Sequence, residues 1–185
     1  MAGCGANGKK REHRSVGGQA THTQVIAVTS GKGGVGKTCV VANLGYALTR
    51  LDKRVLLVDA DIGLANLDVI LGLSPRYNLQ HVLSGERPIG EVVITTPEGM
   101  KILPASSGIQ ELTELTKSQK LCLLSELESL SRNIDMILID TSAGISSNVM
   151  YFNLAAHEIL IVVSPEPTSI TDAYAMMKVL CLKYE

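Results

Sequence analysis

The chain has 185 residues, enough for one domain with a real core and too few for two ordinary ones. Apolar residues make up 45% and charged residues 19%, and the net charge of −1 excludes a global basic field that draws in nucleic acid. Aromatics are only 3%, with no Trp and one Phe, which excludes a stacking platform for single strands.

Residues 1–23 are polar and Gly-rich, with Lys9, Lys10, Arg11 and Arg14 against Glu12, and read as a disordered basic tail. From residue 24 onward the pattern alternates. Val25-Ile26-Ala27-Val28 is a short apolar strand that runs into a Gly-rich turn. Val40, Val41, Leu44, Ala47, Leu48 and Leu51 then mark one face of a helix. Val55-Leu56-Leu57-Val58 is a second strand, followed by short helical pieces near residues 66–71 and 79–83. Ile102-Leu103 begins a third strand. The spacing predicts a helix over residues 118–131 with Leu121, Leu124, Leu127 and Leu130 facing in. Met136-Ile137-Leu138-Ile139 and residues 159–163 are further strands. A last helix is expected to bury Ile170, Ala173, Tyr174, Met177, Leu180 and Cys181. Apolar strands alternating with amphipathic helices predict an α/β fold: a mostly parallel sheet covered on both faces, forming one P-loop domain over residues 24–185. Ligands of such sheets bind beyond the carboxyl ends of the strands.

The motifs fall at those ends. Gly31-Lys32-Gly33-Gly34-Val35-Gly36-Lys37-Thr38 matches G-x-x-x-x-G-K-[ST] in full, between a strand and a helix. Backbone N–H groups must turn inward to hold a β-phosphate, and glycines leave them unobstructed. The helix start carries positive dipole character, and it takes in Cys39. Lys37 sets a charge against the β- and γ-phosphates, and Thr38 offers a hydroxyl to Mg²⁺. Asp59 and Asp61 follow a strand two residues apart and so share a side if the chain stays extended. Asp140 ends an apolar strand as a Walker B acid does. ATP and Mg²⁺ are the expected cofactors.

Lys32, with the loop behind it, resembles the deviant Walker A motif of the MinD/ParA family of P-loop ATPases. The resemblance covers about residues 24–183. It is closest to the flagellar-number regulator branch (FlhG, FleN or YlxH), through residues 59–72 (DADIGLANLDVILG), 104–110 (PASSGIQ) and 166–175 (EPTSITDAYA). It implies an ATP-dependent homodimer in which Lys32 reaches the partner's phosphates. It also implies that Asp59 and Asp140 support Mg²⁺ through water, and that Asp61 positions the attacking water. Thr141-Ser142-Ala143-Gly144-Ile145 is similar to the family's switch II. Glu166 and Asp172 match positions near the dimer interface, facing the partner's nucleotide or the signature lysine.

The implied function is a slow ATP-hydrolysing switch for flagellar number or placement, with a flagellar GTPase or a transcriptional regulator as partner and no sequence-specific nucleic acid. A ParA-type partitioning ATPase and a non-functional truncated relic are the alternatives. A nitrogenase-type iron protein is disfavoured because residues 141–150 contain no Cys. Many members of this branch carry a D-Q-A-x-x-L-R segment, where this tail has Gly18-Gln19-Ala20-Thr21-His22. The family's further C-terminal strands, adenine-reading residues and membrane helix are expected to lie beyond residue 185. Cys4, Cys39, Cys122 and Cys181 have no metal-ligand spacing and read as free or buried thiols. With no apolar run near the ~20 residues of a membrane span, the sequence predicts a cytoplasmic protein.

Overall fold

The computed structural model describes residues 23–62, 65–105 and 114–184. Residues 1–22 of the basic tail read over residues 1–23, Gly63 and Leu64, and residues 106–110 of the PASSGIQ stretch lie outside the described residues. In chain order the elements are β1 (Gln24–Ser30), α1 (Lys37–Arg50), β2 (Val55–Ala60), α2 (Leu67–Ile70), α3 (Leu79–Leu83), α4 (Ile89–Val92), β3 (Ile94–Thr95), β4 (Lys101–Leu103), α5 (Lys117–Ser131), β5 (Met136–Ala143), α6 (Ser147–Ala155), β6 (Glu158–Ile161) and α7 (Pro167–Tyr184).

The sheet order is β3-β4-β2-β5-β1-β6, parallel throughout except for β3, which runs antiparallel to β4. β2 is buried at every residue, as expected of a strand covered on both faces. The pleat sends alternate residues to two layers. Leu56, Val58, Ile137 and Ile139 pack with α3, α4, α5 and Phe152 of α6. Leu57, Leu138, Ile26 and Val28 pack with Val41 and Ala42 of α1 and Leu67 of α2. A third cluster joins Val149 and Met150 of α6 to Met176 and Leu180 of α7. Arg54 and Asp135 clip the entries of β2 and β5 through paired hydrogen bonds of 2.5 and 3.1 Å.

Three helix faces depart from the sequence expectation. In α1, Val41, Ala42 and Gly45 face in, while Val40, Ala47 and Leu51 face out. In α5 the buried leucines are Leu123 and Leu127, with Leu130 partly covered; Leu121 is 69% exposed and Leu124 41%. In α7 the inner stripe is Ser169, Ala173, Met176 and Leu180, while Ile170, Tyr174, Met177 and Cys181 are exposed. Each helix carries two apolar stripes of helical spacing, so periodicity alone leaves the phase open. Ser169 is tolerated inside α7 because its hydroxyl accepts the Ser164 N–H at 3.1 Å. α6 went unanticipated: its residues pack into two different clusters, so it shows no polar face and no period.

Candidate nucleotide site

β1 and β5 lie side by side in the sheet, where the chain turns back on its strand order, and the site forms at their carboxyl ends. The loop from Gly31 to Gly36 leaves β1 and enters α1. Gly34 and Gly36 have φ of 77° and 89°, in the left-handed region that glycine enters at little cost. Gly36 is the N-cap of α1, with no side chain capping the helix. The first helical N–H to find a carbonyl is that of Val40, which bonds Gly36 O. The N–H groups of Lys37, Thr38 and Cys39 therefore have no helical acceptor, the arrangement that receives an anion.

Gly31 serves a different purpose. A Cβ built there would lie 2.4 Å from the Asp172 carbonyl carbon and 2.7 Å from the Ala173 nitrogen. The α7 backbone presses directly on the first residue of the loop.

Sheet register brings the acids together. Asp59 and Asp140 are paired neighbours on β2 and β5, in phase with Leu57 and Leu138 and so on the layer where α1 begins. Both are 1% exposed. Asp59 accepts N–H bonds from Asp61 (3.1 Å) and Leu67 (3.2 Å), which pin the following loop to β2. Burial pushes its carboxyl up to about 7, and the Asp140 and Asp61 charges push the same way. Asp140 is raised by burial against the pull of Lys37 and Thr38. Asp61 lies past the end of β2, yet its raised pKa comes from burial and Asp140, opposed by Lys37, so it belongs to the same cleft. Lys37, itself buried, donates to Asp140 at 3.2 Å. The structure thus gathers Lys37, Thr38, Asp59, Asp61 and Asp140 around the uncapped helix start.

Lys32 points elsewhere. Its ammonium donates to Glu166 of its own chain at 2.5 Å and to Thr168 at 3.2 Å. Asp172 is in the second turn of α7, with its backbone against Gly31. The sequence reading missed Thr168 and also Ser30, whose hydroxyl donates to the Lys32 carbonyl at 2.9 Å. It missed the hydroxyl of Thr141 as well, which donates to Val28 O at 3.1 Å. Thr141 and Thr168 lie inside stretches the sequence marks and Ser30 lies outside any, but in no case does the pattern assign the hydroxyl its partner, because that comes only from the fold.

The donor set fits a Mg²⁺–nucleotide. Among the described residues no cluster of His, Cys, Asp and Glu forms a metal cage by itself. A hydroxyl with two or three nearby carboxylates suits a cation that shares its coordination with phosphate oxygens. Among the described residues no helix is long and apolar enough to cross a membrane.

Residues 23–182 match the family model described as an AAA domain. The antiactivator FleN of Pseudomonas aeruginosa is 50% identical over 157 residues, 85% of this chain and 56% of that protein. The flagellum site-determining protein YlxH of Helicobacter pylori is 40% identical over 158 residues, 85% of this chain and 54% of that one. The chain thus spans little more than half the length of either relative. Among solved structures, the septum site-determining protein MinD of Pyrococcus horikoshii, complexed with Mg-ADP, superposes with a TM-score of 0.76 at 34% identity, covering 87% of this chain and 66% of that one. With the loop, the paired carboxylates and the sheet order in agreement, the chain belongs to the MinD/ParA family of P-loop ATPases, with flagellar regulators among its close relatives.

Proposed function

We propose that this chain is the nucleotide-binding part of a switch that pairs two copies of itself on ATP and hydrolyses ATP slowly. The same reading has it regulate the number or placement of bacterial flagella. The observation that carries the nucleotide reading is Lys37, buried 3.2 Å from Asp140 at the uncapped start of α1. Identity to FleN and YlxH supports the flagellar reading. A flagellar GTPase or a transcriptional regulator is the proposed partner.

In this reading the N–H groups from Gly33 to Cys39 cradle the phosphates, and Lys37 leaves Asp140 for the β- and γ-phosphate oxygens. The Thr38 hydroxyl, with Asp59 and Asp140 through water, would hold Mg²⁺. When bound, the ion supplies charge neutralisation across the phosphates. Asp61 orients the attacking water. Lys32 exchanges Glu166 for the phosphates of the facing copy, with Glu166 and Asp172 at the rim of that interface. An exposed pair such as Lys32–Glu166 is worth only ~0–1 kcal/mol, so a desolvated triphosphate outcompetes it.

Calorimetry with Mg-ATP tests the first step: Lys37→Ala should abolish binding, and equal affinity in both proteins would sink the reading. Light scattering and phosphate release test the rest. Asp61→Ala should pair on ATP and stall. Lys32→Ala should bind ATP yet neither pair nor turn over.

A further inference from the structure

Ser30 is the last residue of β1 and is fully buried, although no motif includes it. The β1–β5 register shifts between Val28 and Ser30, so the strand bends as it enters the phosphate loop. Two bonds leave Ser30 in different directions. Its hydroxyl donates to the Lys32 carbonyl at 2.9 Å. Its carbonyl accepts the N–H of Gly144 at 2.9 Å. Gly144 follows β5 with φ of 88°, four residues past Asp140. The intervening Gly31 is trapped against the α7 backbone. Lys32 is therefore held twice, at its ammonium by Glu166 and Thr168 and at its carbonyl by Ser30.

We infer that Ser30 is a positioning residue for Lys32: its buried hydroxyl fixes the Lys32–Gly33 peptide, and its own carbonyl ties the Ser30–Gly31 peptide to Gly144. The two grips on Lys32 differ in kind. The ammonium grip is exposed and breaks when the side chain leaves Glu166. The carbonyl grip is partly buried, anchored on the fully buried Ser30, and persists through that exchange. A lysine freed at its tip but fixed at its backbone sweeps a limited arc, which lowers the entropy lost when it engages a phosphate. The link to Gly144 makes the aim of Lys32 depend on the segment that follows Asp140. The inference rests on the proposed function only for the destination of Lys32; the grip itself is the Ser30–Lys32 bond.

The test uses Ser30→Ala, which removes the hydroxyl at nearly constant volume, and Ser30→Cys, which keeps a weaker donor. Amide hydrogen exchange of residues 32–36 and Gly144 is measured without nucleotide, alongside Mg-ATP affinity and ATP-dependent self-association. Ser30→Ala should speed exchange in the loop about fivefold, the weight of one net hydrogen bond. It should leave Mg-ATP affinity within about twofold and weaken self-association about fivefold, and Ser30→Cys should fall between. Unchanged exchange in Ser30→Ala overturns the assignment. So does a loss of Mg-ATP affinity as large as the loss of self-association, since that marks general damage to the loop. A wild-type chain that binds no ATP overturns the proposed function instead, and the exchange measurement then decides the Ser30 assignment alone.

Discussion

At the scale of single residues, two glycines of one loop are constrained by opposite circumstances. Gly31 meets the α7 backbone on its side-chain side, whereas a Cβ on Gly33 would meet only the Ala143 Cβ at 4.0 Å. Backbone atoms cannot yield as a flexible side chain does, so Gly31→Ala must displace α7 or the loop. Overpacking of this kind costs about 1–3 kcal/mol, and Gly33→Ala should stay within about 0.5 kcal/mol of wild type. Urea midpoints of the two variants measure the difference. Equal midpoints would show that α7 does not bear on the loop. The carboxylates differ in the same local way. Asp59 and Asp140 are pleat neighbours in adjacent strands, each raised chiefly by burial and Asp59 further by the Asp140 charge, while Asp61 reaches the cleft from beyond the strand end. The sequence placed all three acids and Lys37 in one site because motif spacing and strand ends fix them. Ser30 and Thr168 stayed hidden, since their partners are two residues and 136 residues away and nothing in composition marks either pairing.

At the scale of elements, what the sequence could reveal depended on how many sides of each element are covered. β2 and β5 read plainly, because a strand buried on both faces must be apolar at nearly every position. The parallel sheet followed from their alternation with helices. α6 was invisible for the converse reason, being apolar on sides that meet both the sheet and α7. The phases of α5 and α7 were misread because each has two usable stripes, and tertiary neighbours decide between them. In α7 the decision turns on size: Ala173 is small enough to let the backbone approach Gly31, whereas Tyr174 in that place would hold it off. Two adjacent methionines give the test. Met176 is 0% exposed and Met177 45%. Met176→Ala should cost about 2–4 kcal/mol, through lost burial and the cavity left behind, and Met177→Ala less than about 1 kcal/mol. A reversed order in thermal or urea unfolding would restore the phase expected from the sequence.

At the scale of the whole molecule, two sets of carboxylates pull stability in opposite directions with pH. Asp135 is held down at about 2, chiefly by its hydrogen bonds with Arg54. A carboxyl whose folded pKa is depressed contributes stability that is present above its unfolded pKa and lost as pH falls toward the folded value. Asp135 therefore stabilises the fold above pH 4 and ceases to do so between about 4 and 2. The cleft acids behave the other way. Asp59 is raised from 3.8 to about 7, with Asp61 and Asp140 raised as well. A carboxyl whose folded pKa is raised favours the fold while protonated, and that contribution disappears as pH climbs through the folded value. For Asp59 the window runs from about 4 to 7, and the loss amounts to up to about 4 kcal/mol. The nucleotide-free chain should therefore be most stable near pH 4–5 and weaken toward neutrality. The buried, charged cleft that a Mg²⁺–nucleotide requires is a source of instability until something positive fills it. Urea midpoints of the nucleotide-free protein at pH 3, 4.5, 6 and 7.5 should rise and then fall. Asp135→Asn should flatten the acid limb, and Asp59→Asn should flatten the neutral limb and leave the acid limb unchanged. Saturating Mg-ATP should raise the midpoint most at pH 7.5, where the cleft carries more negative charge than at the lower pH values. A nucleotide-free midpoint that climbs steadily from pH 4.5 to 7.5 would mean that the three acids ionise freely, and the buried acidic cleft would have to be abandoned.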